Sequence, residues 1–283
     1  MSQPGAKPVA IITGAASGIG LAVTQHLLSK NYRVVLADVN AKQGELVAGS
    51  LGPDARFIHT DVSSYASQAT LFSTAFAWHG RLDVAALNAG IDDRQSLYEM
   101  QEELDADGIP KPLNLKTIDV NLNAVIQGLW LFKYYARKNE KPGGKVVITS
   151  SAAGLYAMTT NPQYTASKYG LIGLTRASGP VFVKEYITVN CICPAFLATN
   201  LCPKQLLDKF PKEHITPMST VLKAFDTFLG DDKMTGQSVE LSLGKLYFRQ
   251  QPEWANESQR WLGEDSDGFW EEAYESVPVR DGV

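Results

Sequence analysis

A doubly wound α/β fold, with seven parallel strands in one sheet and helices on both faces, is the architecture that this sequence predicts. Three observations predict it. Short β-branched runs alternate with longer helical patterns from residue 8 to residue 244. The runs are apolar at consecutive positions, as strands covered on both sides are. The ends of successive runs carry glycine, aspartate or asparagine, and open α/β sheets bind ligands at the carboxyl ends of their strands.

Taken in order, Val9-Ala-Ile-Ile-Thr13 is the first run, followed by a glycine-rich turn and a helical pattern over 18–30. Arg33-Val-Val-Leu-Ala37 precedes a helix over 40–51, and Arg56-Phe-Ile-His59 precedes one over 64–78. Asp83-Val-Ala-Ala-Leu87 opens into a variable segment and then a helix around 114–138. Lys145-Val-Val-Ile-Thr149, a helix from about 163 to 186, Ile187-Thr-Val-Asn-Cys-Ile192 and Ser238-Val-Glu-Leu241 complete the series. A helix between each successive pair of the first six strands is the long crossover that parallel pairing requires. Gly179-Pro180 removes a backbone donor near the end of the last long helix and predicts a kink or a stop there.

No polar or proline-rich linker and no fixed-period repeat interrupts this pattern, so residues 1–244 are expected to form one domain rather than two small ones. The extension 245–283 sets Trp254, Trp261, Phe269, Trp270 and Tyr274 among nine acidic side chains, more aromatics than a solvated acidic tail needs. It is expected to dock on the body or on a neighbouring subunit.

The formal charge of −4 offers no electrostatic attraction to nucleic acid or to an anionic membrane, and the expected partner is a small molecule. Cys191, Cys193 and Cys202 lack paired zinc spacing, and Cys191 and Cys193 alternate along a strand as buried thiols do. His26, His59, His79 and His214 are scattered, without a metal-binding pattern, so no metal is expected. No run approaches the ~18 apolar residues of a spanning helix, and neither the start of the chain nor its closing Asp-Gly-Val matches a secretory, lipidation or peroxisomal signal. A cytoplasmic protein follows as the expectation.

Gly14, Gly18 and Gly20, with Ser17 and Ile19 between them, lie where the first strand meets the first helix. Small residues there let a pyrophosphate approach the helix N-terminus and its free N–H groups. Alone, such a cluster is also compatible with a simple turn. Asp38 stands at the end of the second run, about 20 residues on, where a carboxylate accepts hydrogen bonds from ribose hydroxyls. A 2′-phosphate would meet like charge there, and neither Ser17 nor Val39 supplies a cation, so NAD is expected over NADP. Asp61-Val62 and Asn88-Ala89-Gly90 add two further strand ends of the same kind. Together they describe a Rossmann-like dinucleotide site.

Tyr164 and Lys168 fall one helical turn apart on one face, which holds a phenol beside an ammonium. With Ser151 thirteen residues upstream and the glycine turn of Thr13–Gly20, they complete a combination that resembles the short-chain dehydrogenase/reductase family over about residues 8–244. The resemblance implies that Tyr164 is the general acid/base, that Lys168 stabilises its phenolate and bonds the nicotinamide ribose, and that Ser151 stabilises the substrate oxygen. It implies that Asn121, in Asp119-Val-Asn-Leu-Asn123, holds a proton-relaying water, although a polar residue there also suits a helix bend or cap. It places a nicotinamide loop at Pro194, Ala195, Phe196, Leu197 and Thr199, with alanine at 195 where the family usually has glycine. It also implies a homodimer or homotetramer, supported by the wide apolar surface of 122–135.

The expected substrate walls are 91–113, 152–161 and 195 to about 218. Tyr156, Met158, Phe196, Leu197, Leu201 and Met218 make them mostly apolar, without clustered arginines, and predict a hydrophobic secondary alcohol or ketone. Val120-Asn-Leu-Asn-Ala124 and Cys191-Ile-Cys-Pro194 are similar to the family branch that contains 15-hydroxyprostaglandin dehydrogenase. An NAD-linked enzyme mildly favours oxidation. Two alternatives are a cofactor-retaining epimerase or dehydratase, which normally needs a larger C-terminal domain, and a dinucleotide-binding regulator without turnover, which commonly lacks the tyrosine or the lysine.

Overall fold

Strand β1 (Val9–Thr13) runs through the glycine turn into α1 (Gly18–Ser29), and the alternation continues as β2 (Arg33–Asp38), α2 (Ala41–Leu51), β3 (Ala55–His59), α3 (Tyr65–His79) and β4 (Val84–Leu87). After a long connection come α4 (Lys116–Ile118), a π-helical turn (Asp119–Asn123), α5 (Ala124–Ala136), β5 (Gly144–Thr149), a short 3-10 turn (Ala152–Gly154) and α6 (Pro162–Phe182). Then follow β6 (Ile187–Pro194), α7 (Lys204–Leu207), α8 (Met218–Gly230), β7 (Ser238–Ser242) and β8 (Lys245–Phe248). These elements are taken from a computed structural model of the chain, which describes residues 7–99, 104–202 and 204–276.

The strands form one sheet in the order β3-β2-β1-β4-β5-β6-β7-β8. Neighbours from β3 through to β7 pair in parallel. The chain winds outward from β1 to β3 and then returns to the other side of β1 at β4. That reversal opens a crevice at the carboxyl ends of β1 and β4.

Both faces of the sheet are buried, as the continuous apolar runs predict. Val9 and Ile11 of β1 join Leu71, Phe72, Leu129, Phe132, Leu171 and Ile172 from α3, α5 and α6 in one core. Ala10 and Ile12 point the other way, into a core with Val23, Leu27, Val47, Val221, Phe225 and Phe228 from α1, α2 and α8. Each large side chain among these contributes roughly 1.5–3 kcal/mol by leaving water. Cys191 and Cys193 are fully buried in the first core.

Four elements differ from the sequence reading. The sheet has eight strands rather than seven, and the eighth pairs antiparallel with β7. Leu243 and Gly244 join them as a two-residue hairpin with φ of 46° and 88°. Positive φ at both positions matches a type I′ turn, but leucine is not the asparagine or aspartate that advertises one. Helix α8 also goes unread in the sequence, although Val221, Ala224, Phe225 and Phe228 are all buried at the i, i+3, i+4, i+7 spacing of an amphipathic helix.

The helix expected around 114–138 is divided into α4, the π-helical turn and α5. Helix α6 continues through Pro180 to Phe182 and then tightens into a 3-10 turn, Val183–Glu185. Pro180 sits in its final turn, and a Cβ on the neighbouring Gly179 would lie 2.4 Å from the Gly236 nitrogen. The pair therefore permits close packing at the helix end.

Among the described residues, those up to Arg249 form one compact unit and those from Gln250 a second. Within the second, α9 (Glu257–Arg260), a π-helical turn (Trp261–Asp265) and α10 (Asp267–Ser276) follow one another. The Trp254 indole donates to Glu264 at 2.9 Å, and Phe269 lies 6.2 Å from Trp261 and 5.3 Å from Trp270 between ring centroids. The aromatics of this segment thus pack on each other. Among the described residues no helix is long and apolar enough to cross a membrane.

Candidate active site

The glycine turn is shaped by steric demand. Gly14 and Gly18 have φ of 67° and 55°, where a side chain is strained. At Gly20 a Cβ would lie 2.1 Å from the Gly14 carbonyl oxygen. Ser17 is extended at the N-cap of α1, and Ile19 packs against the second core. Beyond the turn, the Thr199 Cβ lies 3.4 Å from where a Gly18 Cβ would stand.

Three strand ends are fastened to this turn or beside it. The Thr13 hydroxyl oxygen accepts from the Asn88 N–H at 2.9 Å and the Ala89 N–H at 3.0 Å, and the Asn88 amide donates to the Thr13 carbonyl at 3.0 Å. Asp38 accepts from the Ala16 N–H and from the Asn40 N–H, one to each carboxylate oxygen and both at 2.9 Å. The carboxylate braces the glycine turn and keeps lone pairs for further donors. Val39 beside it is exposed.

Asp61 accepts from the Ser63 N–H at 2.9 Å and the Ser63 hydroxyl at 2.6 Å. The Ser63 hydroxyl bond is the largest influence holding Asp61 below the usual carboxylate range, with Lys116 adding to it. Val62 packs with Val120 and Ala124, against Ala89 and Ile91. The buried Gln68 amide ties this edge together, donating to the Val62 carbonyl at 2.6 Å and the Ala124 carbonyl at 3.0 Å. Small residues at 14 and 20, free α1 N–H groups and a braced carboxylate at 38 together fit the diphosphate and ribose of a dinucleotide.

After β6 the predicted nicotinamide loop takes mixed roles. The Ala195 N–H donates to the Leu241 carbonyl at 2.8 Å, Phe196 stacks on Phe210 with centroids 3.6 Å apart, and Leu197 is buried in the second core. Pro194 ends β6 itself. Thr199 alone of this group reaches the glycine turn.

Tyr164 and Lys168 occupy the first turns of α6, as their spacing predicts. Lys168 is buried, donates to the Thr149 carbonyl at 2.9 Å, and its Nζ lies 5.3 Å from the centre of the Tyr164 ring. Burial lowers its pKa to about 8, while Cys191 and Cys193 pull the other way. Burial is also the largest influence on Tyr164 and raises its phenol pKa; a hydrogen bond with Ser151 lowers it, and the charge of Asp92 raises it again. The Ser151 oxygen accepts from the Ala153 N–H at 3.1 Å.

Asn121 lies in the π-helical turn and is fully buried. It accepts from the Ile91 N–H at 2.8 Å and donates to the Ile91 carbonyl at 2.9 Å and to Ser167 Oγ at 3.2 Å. A Cβ on Gly90 would stand 3.4 Å from both Asn121 Oδ1 and Lys168 Nζ. All four predicted catalytic residues therefore gather at the carboxyl ends of β4 and β5.

Several supporting residues go unread in the sequence. Ser150 donates to the Lys168 carbonyl at 2.8 Å, and Thr149 offers its carbonyl to the Lys168 ammonium. The Asp92-Asp93 pair follows Asn88-Ala-Gly-Ile91 directly, yet its partners are about 70 residues downstream, so no local pattern exposes it. Tyr156, assigned to the apolar wall, turns its hydroxyl to Glu240 at 3.0 Å and accepts from Arg249 at 2.8 Å. Of the expected wall 91–113, residues 100–103 lie outside the described residues. Leu97, Tyr98, Leu104 and Ile109 on that wall are exposed apolar groups. No cluster of three or more metal-ligating side chains occurs among the described residues.

Residues 8–209 match the family described as short chain dehydrogenase. A short-chain dehydrogenase/reductase of Penicillium rubens, prx6, is 34% identical over 260 residues, covering 88% of this chain and 87% of the relative. Human 15-hydroxyprostaglandin dehydrogenase [NAD(+)] is 29% identical over 262 residues, covering 84% of this chain and 91% of the relative. A solved 3-ketoacyl-(acyl-carrier-protein) reductase from Brucella melitensis, complexed with NADH, superposes with a TM-score of 0.70 at 21% identity, over 84% of this chain and 97% of its own. That likeness concerns the fold.

Proposed function

Because the chain belongs to the short-chain dehydrogenase/reductase family, we propose that it is an NAD-dependent oxidoreductase that interconverts a hydrophobic secondary alcohol and its ketone, with Tyr164 as the general acid/base. The observation that carries this reading is the placement of half-buried Tyr164 with Ser151 beside it and the buried Lys168 one helical turn away, the lysine Nζ lying 5.3 Å from the centre of the phenol ring. A nicotinamide held in the crevice would supply the acceptor or donor for the hydride that the carbinol or carbonyl carbon exchanges.

The chain's own residues handle the proton. In reduction, Tyr164 donates its phenolic proton to the developing alkoxide; in oxidation, its phenolate removes the alcohol proton. Ser151 donates a hydrogen bond to the same substrate oxygen, where charge develops. Lys168, one turn along the helix, is the cation that favours the phenolate once the proton has left. Asn121 fixes the Ile91 backbone beside the lysine, at the position where the family's relay water is held.

Asp38 supports the choice of NAD, since a 2′-phosphate would stand against a carboxylate that is already committed to two backbone donors. The human relative's printed name also specifies NAD(+). The apolar side chains of Met158, Phe196 and Leu201 support a hydrophobic substrate. Ile126, Trp130 and Tyr134 are exposed at every fourth position of α5, and such an apolar stripe supports a homodimer or homotetramer. A cytoplasmic site completes the reading. Incubation with NAD and a panel of apolar secondary alcohols, followed by the absorbance of the reduced cofactor, should show turnover; NAD binding without turnover across the panel would instead identify a regulator.

A further inference from the structure

Helix α6 is not capped by its own sequence. Asn161, which precedes it, makes no side-chain bond to the helix, and its amide donates instead to Asp92 at 2.5 Å. Pro162 has no N–H to offer. The next two donors, the N–H groups of Gln163 and of Tyr164 itself, go to the two carboxylate oxygens of Asp93 at 3.1 and 2.6 Å. A carboxylate at a helix N-terminus is favoured by both the free donors and the helix dipole, so this cap is strong and comes from another part of the chain.

The segment that carries it grips the rest of the site as well. Gly90 stands against Asn121 and Lys168. Ile91 pairs its N–H and its carbonyl with the Asn121 amide, and the Asp92 carbonyl accepts from Thr117 of α4 at 3.1 Å. Four consecutive residues thus hold the asparagine, the lysine and the tyrosine in one register. We propose that Asp93 is a positioning residue for the chemistry of Tyr164, acting through its clamp on the Tyr164 and Gln163 backbone; this rests on Tyr164 being the proton carrier.

The charged and titratable groups nearest the tyrosine are Lys168 on its own helix, 5.3 Å from the ring, Asp92, whose charge raises the phenol, and Asp93 on its backbone N–H, with Cys191 and Cys193 of β6 behind the lysine. Removing the Asp93 charge leaves the positive end of α6 uncompensated, which favours the phenolate. The test uses Asp93→Ala and Asp93→Asn, the latter keeping one acceptor oxygen. Turnover per NAD-binding site should fall about tenfold or more in Asp93→Ala and less in Asp93→Asn, with NAD affinity unchanged within about twofold, since small misplacements at a reacting group cost this much. The Tyr164 phenol, followed by ultraviolet difference against the matching Tyr164→Phe protein, should titrate at lower pH in both variants.

A phenol that titrates unchanged in both, or turnover per NAD-binding site equal to that of the unaltered protein, overturns the proposal and leaves Asp93 a structural cap. The titration needs no substrate. Failure to find any oxidisable alcohol would therefore sink the enzymatic reading while the effect of Asp93 on the phenol stayed measurable.

Discussion

The two halves of the crevice are held by contacts of different reach. On the dinucleotide side, Asp38 steadies the glycine turn across 22 residues of sequence. On the catalytic side, Asp93 holds the Tyr164 backbone across 71 residues, and Asn121 is joined to Ser167 across 46. In the first half, the glycine turn and Asp38 belong to a single βαβ unit, β1-α1-β2, although Thr13 also reaches Asn88 and Ala89 across 75 and 76 residues. The second exists only when α4, α6 and the end of β4 are already docked. A change in the first should therefore act on cofactor affinity, and a change in the second on turnover.

The strongest way to break this division is at Tyr164. If Tyr164 carries the proton as proposed, Tyr164→Phe removes that carrier and leaves the ring, so kcat should fall by about 10²–10⁴-fold while NAD affinity, measured by calorimetry, stays within about twofold. A large loss of NAD binding would mean that the halves are not separable. The pH dependence sharpens the same point. Burial raises the Tyr164 phenol pKa, so at neutral pH the protonated form dominates and serves ketone reduction. Alcohol oxidation needs the phenolate, and its kcat/KM should rise by about tenfold per pH unit below that pKa.

Lys168→Met separates function from stability. The buried ammonium has its pKa lowered to about 8, so the unfolded chain binds this proton more tightly than the folded one. The sign is that Lys168 costs stability as pH falls from the ordinary lysine value through 8, and the cost is constant below. Methionine removes it: the thermal midpoint at pH 7 should rise by about 2–4 °C for each 1 kcal/mol recovered. Turnover should nonetheless fall about 10²-fold, because the phenolate loses its cation. A variant both inactive and less stable would assign the lysine to packing.

The smallest expected effect belongs to the dinucleotide side. Asp38→Ala removes the carboxylate from the ribose position and its two backbone bonds, which are worth about 1.5–3 kcal/mol each when charged. NAD affinity should weaken about tenfold and the preference over NADP should narrow, with kcat at saturating NAD little changed. Unaltered selectivity in a titration with both cofactors would misplace the ribose contact.

The same difference in reach explains what the sequence makes legible. Strands β1 to β7, the glycine turn and the Tyr164–Lys168 pair are written in local spacing, where period and residue type suffice. The bend at Asn121 is not, because a π-helical turn adds one residue to a pattern that otherwise suits a continuous helix. Strand β8 hides behind a turn whose first residue is leucine. Helix α8 is a different case, because its buried stripe of Val221, Ala224, Phe225 and Phe228 is written at helical spacing. The Asp93 clamp could not be read, since nothing near residue 93 names its partners.

That eighth strand has a consequence for where the catalytic unit can be cut. A chain shortened at residue 244, where the strand pattern of the sequence stops, would strip the outer ladder from β7 and leave its amides open to any passing polypeptide. It would also take away Arg249, whose Nε donates to Glu240 at 2.7 Å, stranding a largely buried anion beside the tyrosine that anchors the wall after Ser151. The final hairpin is a guard against self-association and the counter-ion of the interior.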